Sequence, residues 1–172
     1  MTAFRAIGSP LGPLRLEVSG AGLTGVRFLD ELASSGEANA LSVRSAEHLD
    51  HAEAELDAYF RGELERFTVA IDPRGTEFQR AVWLALGQIP IGETRSYGDI
   101  ARSVGRPSAV RAVGLANGAN PISIVVPCHR VIGSTGRLTG YGGGLERKRW
   151  LLEHEAHGAF EASLFAAAHT AD

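Results

Sequence analysis

The stretch SYGDIARSVGRPSAVRAVGLAN, residues 96–117, decides how the second half of this chain folds. Ser96-Tyr97-Gly98-Asp99 has the form of a helix start, with a hydroxyl placed to cap the first turn. Ile100 and Val104 mark one face of a short helix that Gly105 ends. Pro107 suits the first position of a following helix, predicted to run to Asn117. Two short helices joined by a tight glycine-containing turn predict a helix-turn-helix. On the second of them Ala109, Ala112, Val113 and Ala116 share the side expected to pack inward. Arg111 points the other way, flanked by Pro107, Ser108, Gly114 and Gly118. An arginine on a face of small residues fits close approach to another macromolecule, and equally an ordinary solvated position. The residues alone leave both open.

Working outward, Thr76-Glu77-Phe78-Gln79 has the Thr-x-x-Gln form of a capping box. Phe78, Val82, Ala85, Leu86 and Ile89 then give an apolar stripe that Pro90-Ile91-Gly92 stops. On the other side comes ISIVVPCHRV, residues 122–131, which holds the only cysteine of the chain. A thiolate is the strongest side-chain nucleophile near neutral pH, and cationic neighbours lower the pKa that produces it. A free cysteine is more often a small buried hydrophobe. The proline before Cys128 and the two basic groups behind it favour the nucleophile.

Residues 132–144 predict a short hairpin and then a glycine-rich loop. That loop lacks the Gly-Lys-[Ser/Thr] ending of a phosphate cradle, so its glycines are read as letting backbone approach a ligand. Leu145 to Glu155 predicts a helix anchored by Trp150, Leu151 and Leu152. The Ala-rich tail from Ala156 to Asp172 is expected to be partly disordered.

The first third reads as strands. Phe4–Ile7, Leu14–Val18 and Leu23–Leu29 are separated by turn clusters, and Leu14–Val18 alternates with period two. Asp30 to Ser42 is read as a loop. A helix follows from Ser45, with Leu49, Ala52, Leu56, Tyr59 and Phe60 at helical spacing and Gly62 at its end. Phe67 to Ile71 predicts one more short strand. Asp72-Pro73-Arg74-Gly75 is the most linker-like tetrapeptide, dividing the chain into domains 1–73 and 74–172. The expected class is α+β: a small antiparallel sheet with a helix, then a mainly helical half.

The chain has 172 residues, 44% of them hydrophobic and 22% charged, the balance of an ordinary globular protein. No apolar run approaches the length that spans a bilayer, and the N-terminus lacks the pattern of a signal peptide. One cysteine makes neither an internal disulfide nor a cysteine-rich zinc site, so a reducing cytoplasm is the expected compartment. The net charge of −3 argues against a nucleic-acid partner until its distribution is seen. Arg95 to Trp150 carries nine basic and two acidic residues, a local charge of +7, against −10 for the remainder. Such asymmetry suggests a surface that faces a polyanion.

Taken in series, these motifs resemble the O6-alkylguanine-DNA alkyltransferases, also called methylated-DNA–protein-cysteine methyltransferases. The matching stretches begin with Gly75-Thr76-x-Phe78-Gln79-x-x-Val82-Trp83 and Ile89-Pro90-x-Gly92-x-Thr94-x-Ser96-Tyr97-Gly98. Arg111-Ala112-Val113-Gly114-x-Ala116-Asn117-x-x-Asn120-Pro121 and Val126-Pro127-Cys128-His129-Arg130-Val131 follow. Gly140-Tyr141-Gly142-Gly143-Gly144 and Lys148-x-x-Leu151-Leu152-x-x-Glu155 complete the series. The first 70 residues fit only in their strand-strand-strand-helix outline.

The resemblance implies a ribonuclease H-like N-terminal outline and a winged-helix-like C-terminal domain. It implies DNA repair by irreversible transfer of an alkyl group from guanine O6, and more weakly thymine O4, to Cys128. His129, acting through a water, corresponds to the base, Glu155 to the carboxylate that orients it, and Asn120 to the brace of the surrounding turns. Tyr97 corresponds to the phenol that meets guanine N3. Val131 and Cys128 carry the carbonyls that meet the exocyclic amine. Tyr141 lies along the pocket wall, and Gly142 supplies a backbone N–H to O6 where some relatives have serine. Arg111 corresponds to the finger that fills the space of a flipped nucleotide, with Ser96, Pro107, Ser108 and Gly114 beside it in the minor groove. The implied partner is double-stranded DNA carrying O6-alkylguanine. A monomer is expected, with no cofactor, no metal and no membrane contact. Three other classes compete: a lesion-binding protein without transfer, a helix-turn-helix regulator and a cysteine hydrolase. Of the four, only alkyl acceptance requires a permanent mass gain on Cys128.

Overall fold

The structure, a computed structural model, describes residues 3–29 and 42–169, with side chains as far as residue 158. The loop expected over Asp30–Ser42 lies outside the described residues, Ser42 excepted. Strands β1 (Ala3–Ile7), β2 (Leu14–Val18) and β3 (Leu23–Phe28) form an antiparallel meander in that order. The period-two pattern of β2 sends Leu14, Leu16 and Val18 to one face, where all three are buried. Helix α1 (Val43–Phe60), capped by Ser42, covers that face with Leu49, Ala52, Leu56 and Tyr59.

Phe67 to Ile71 does not form the expected strand and makes only an isolated bridge between Ile71 and Leu23. The cause lies in α1. The Glu55 carboxylate accepts from the backbone N–H groups of Thr68 at 2.8 Å and Val69 at 2.9 Å. Those donors are therefore not free for a ladder.

Helix α2 (Glu77–Leu86) starts with the expected capping box between Thr76 and Gln79. It ends at Leu86, a turn before Pro90, because Gly87 caps it and Ile89 N–H then turns back to the Leu86 carbonyl. Trp83 leaves α2 to donate its indole N–H to the Ala116 carbonyl at 2.8 Å. Gly75 is what lets the ring lie there, since a Cβ at that position would sit 2.5 Å from it.

Helices α3 (Tyr97–Ser103) and α4 (Val110–Gly118) form the helix-turn-helix. Pro107 does not begin α4, which starts at Val110. Pro107 and Ser108 instead occupy a turn closed by Ala109 N–H on the Arg106 carbonyl at 2.9 Å, a position that suits the fixed φ of proline. The shorter helix is also rotated from the expected wheel. Val113, Ala116 and Asn117 face inward, Ala109 is half-buried and Ala112 is exposed.

The predicted hairpin after Cys128 is absent. Residues 133–137 make a closed turn, and β5 (Val131–Ile132) pairs in parallel with β4 (Arg95–Ser96), the residues entering α3. Helix α5 runs from Leu145 to His169, past the expected end at Glu155. The Ala-rich tail continues it because alanine is the best helix former.

The two halves meet around β3. Val26 N–H donates to the Pro121 carbonyl at 2.9 Å and Ser123 N–H to the Val26 carbonyl at 3.2 Å. The sheet thereby holds the segment that runs into Cys128.

Candidate active site

Cys128 opens a single 3-10 turn, Cys128–Arg130, that follows Pro127. The approach is a series of tight turns. Ile124 takes a φ of +73°, unusual for a β-branched residue, and Val126 N–H closes back on the Ile122 carbonyl at 3.0 Å. Asn120 ties these turns together: its amide donates to the Val126 carbonyl at 2.8 Å, and its oxygen accepts from Ile122 N–H at 3.0 Å. Local chain chemistry, rather than a long element, thus aims the thiol.

Behind Cys128 lies a buried charge cluster. His129 is fully buried, and its Nε2 lies 2.7 Å from Glu155 Oε1 on α5. Arg130 grips the same carboxylate with two bonds, Nε to Oε2 and Nη2 to Oε1, each at 2.9 Å. Its third donor reaches the Ile89 carbonyl at 2.6 Å. Tyr59, from α1, donates its hydroxyl to Glu155 Oε1 at 2.8 Å. Burial alone would raise the Glu155 pKa, but the hydrogen bond from His129 and the bonds and charge of Arg130 outweigh it and hold the group well below the carboxylate range. An ionised Glu155 must accept, so Nε2 carries the hydrogen and Nδ1 keeps its lone pair. Nδ1 is buried and has no hydrogen-bond partner among the described residues.

The same arithmetic of charge keeps His129 neutral. Burial lowers its pKa, and the nearby cations Arg130 and Lys148 add to that against the pull of Glu155. Glu155 already neutralises one cation, so a protonated His129 would be surplus buried charge. A histidine depressed in the fold binds its proton more readily when unfolded, so its contribution to stability is present above the ordinary value of 6.5 and fades below it. Glu155 acts in the same direction at lower pH. The urea midpoint is therefore expected to fall as pH drops from about 7.5 to about 5.5, a shift that equilibrium unfolding reads directly.

Cys128 departs from expectation. Its basic neighbours do not make it a resting thiolate: burial pushes the thiol pKa up, only partly countered by the Asn120 amide and the Lys148 charge. Arg130, expected to activate the thiol, is occupied with Glu155. Burial thus leaves the resting sulfur a thiol, which needs a base before it can act as a nucleophile.

Of the other expected site residues, Val131 and Tyr141 border this centre. Val131 is buried, and its carbonyl accepts from Lys148 Nζ at 2.6 Å; the same ammonium donates to the Thr139 carbonyl at 2.8 Å. Tyr141 packs edge-on to His129 with ring centroids 6.5 Å apart, its hydroxyl buried beside Ser123. Gly143 permits that packing, because a Cβ there would lie 2.7 Å from the Phe28 ring and 2.8 Å from Tyr141. Gly142 is exposed, with nothing within 4 Å of the place a Cβ would take. Tyr97 begins α3, and its hydroxyl accepts from Thr139 at 3.0 Å.

Arg111 stands exposed on α4, and Pro107 and Ser108 are exposed on the turn before it. Gly114 faces the Tyr97 ring, 4.0 Å from where its Cβ would be. The Ser96 hydroxyl caps α3 in a capping box with Asp99. The described residues contain no group of three or more His, Cys, Asp and Glu side chains arranged to hold a metal ion. No described helix is long and apolar enough to cross a membrane.

Sequence reasoning missed Tyr59, the carboxylate clamp of Arg130, and the strut made by Lys148. Arg130 and Lys148 lay within quoted motifs. Tyr59 gave no local signal, since its partner is 96 residues away.

A sequence model described as the 6-O-methylguanine DNA methyltransferase ribonuclease-like domain matches residues 4–73. Another, the DNA binding domain of the same proteins, matches residues 77–157. The methylated-DNA–protein-cysteine methyltransferase of Mycobacterium tuberculosis is 54% identical over 155 residues, covering 90% of this chain and 93% of that protein. Its namesake in Methanosarcina acetivorans is 51% identical over 152 residues, covering 86% and 94%. The crystal structure of Mycobacterium tuberculosis OGT in complex with DNA superposes with a TM-score of 0.79 at 53% identity, covering 90% of this chain and 93% of that one. With both halves matched, and relatives this similar along nearly their whole length, the chain belongs to the 6-O-methylguanine DNA methyltransferase family.

Proposed function

We propose that this chain repairs DNA by moving the alkyl group of O6-alkylguanine, and more weakly O4-alkylthymine, onto its own Cys128. The observation that carries the reading is a buried Cys128 followed at once by a buried His129 whose Nε2 lies 2.7 Å from the Glu155 carboxylate. His129 Nδ1 takes the thiol proton through a water. The Cys128 sulfur forms a bond to the alkyl carbon as that carbon's bond to O6 breaks, and the electron pair passes to the base. Tyr97 offers its hydrogen at guanine N3, and the proton held by His129 balances the departing base. The product is a thioether, which has no easy route back, so each molecule acts once.

The alkylated atom lies within the duplex, so the nucleotide is rotated out of the stack. Helix α4 enters the minor groove with Pro107, Ser108 and Gly114 allowing close approach, and Arg111 fills the vacated space. The groove reads little sequence, which suits a protein that must inspect any DNA. Residues 1–73 form one domain and 74–172 the DNA-binding and acceptor domain, and the protein works as a cytoplasmic monomer. Arg111→Ala is expected to slow transfer from duplex by roughly 10- to 100-fold, the scale of losing part of the few kcal/mol that hold a nucleotide out of its stack. Transfer from a single strand should change little, and single-turnover assays on the two substrates make the comparison.

The direct test is intact mass after incubation with a duplex containing O6-methylguanine, followed by peptide mapping. One methyl group per chain, located on Cys128, is the expected result. Unchanged mass with tight, lesion-selective binding would overturn transfer and leave a lesion sensor.

A further inference from the structure

The N-terminal half supplies none of the residues assigned above to the reaction, yet it reaches the relay at one atom. Tyr59 crosses from α1 to donate a 2.8 Å bond to Glu155 Oε1, the oxygen that also receives His129 at 2.7 Å and Arg130 Nη2 at 2.9 Å. That oxygen is crowded, with three donors on one acceptor. We infer that Tyr59 is a positioning residue of the transfer reaction: its hydroxyl limits how strongly Glu155 pulls on His129 and so sets the basicity of His129 Nδ1. The inference rests on the transfer reading.

The side chain is built for this task. Its ring is buried and packs edge-on to Phe60 at 5.3 Å and His154 at 5.3 Å, and tilted against Phe67 at 5.5 Å. Its own carbonyl lies 2.7 Å from His154 Nε2, which holds the backbone in place. Burial and the neighbouring Glu155 keep the phenol protonated far into alkali, so it is a donor at every working pH. The charged and titratable groups around His129 are Glu155 and Lys148 from α5, Arg130 and Cys128 from the turn, and Tyr141 from the glycine-rich loop. Tyr59 reaches this cluster from the N-terminal half through Glu155.

The sign follows from competition for one oxygen. Remove the Tyr59 hydrogen and Oε1 turns more of its charge toward His129 Nε2, which stabilises a proton on Nδ1. His129 then holds that proton at higher pH and is lost as a base sooner on acidification.

Tyr59→Phe keeps the ring and deletes only the hydroxyl. Single-turnover transfer, measured from about pH 5 to about pH 9 across the histidine range, should show the acid limb displaced upward by about one unit, the scale of one hydrogen bond to a carboxylate. The rate on the plateau should change by less than about threefold, since Arg130 still holds Glu155 by two bonds. Phe60→Leu disturbs the same aromatic cluster without touching the hydroxyl and should leave the limb in place. Superimposable profiles for wild type and Tyr59→Phe, or an equal slowing at every pH, would overturn the inference. A nuclear magnetic resonance titration of His129 in both proteins reads the same displacement without transfer. A wild type that takes up no methyl sinks the transfer reading, whereas an unshifted His129 sinks the role of Tyr59.

Discussion

Glu155→Ala is expected to lose roughly 3–5 kcal/mol of stability, the cost of breaking a buried ion pair by removing one partner. Four bonds end on that carboxylate: two from Arg130, one from His129 and one from Tyr59. Arg130 is 5% exposed, so its guanidinium would remain buried with only the Ile89 carbonyl to satisfy it. Against a typical total of about 5–15 kcal/mol, such a loss leaves a marginal fold at best. The urea midpoint measures it. Any folded fraction should also transfer more slowly, by roughly 100-fold or more, because His129 loses the group that fixes its hydrogen on Nε2. Glu155→Gln keeps the shape and one acceptor, and its midpoint should fall between the two.

Cys128→Ser gives the other extreme: chemistry abolished, structure kept. The side chain is small and buried, and no described cross-link or metal depends on it. Exchange of sulfur for oxygen leaves the turn, the Asn120 brace and the Glu155 cluster in place. A hydroxyl in this apolar setting is too weak an acid for His129 to activate against an alkyl carbon. The variant should gain no methyl group in the mass experiment and still bind the lesion duplex in a mobility-shift assay. Transfer by Cys128→Ser would place the acceptor elsewhere in the chain.

Local sequence carries some parts of the site and not others. The nucleophile, the helix starts at Thr76 and Ser96, and the period-two pattern of β2 are short-range features, each read from a few adjacent residues. Boundaries that depend on competition were harder. Pro107 fits both a helix start and a turn, and the bond from Ala109 to Arg106 decided for the turn. Phe67–Ile71 has strand character, but Glu55 on α1 took the donors a strand needs. Adjacent cations are visible in sequence and burial is not, so the thiolate expected at Cys128 is a thiol in the fold. Tyr59 and the true partner of Arg130 are consequences of how distant elements dock. No local pattern encodes them.

Oxidants attack the thiolate, and they need access to it. Cys128 is 5% exposed and is held as the thiol by burial. A molecule that can act only once is thus stored in its least oxidisable form. Peroxide is therefore expected to oxidise Cys128 more slowly in the folded protein than in urea, a difference that intact mass reads. The burial that makes the sulfur wait for a base is then also what shields it between encounters with DNA.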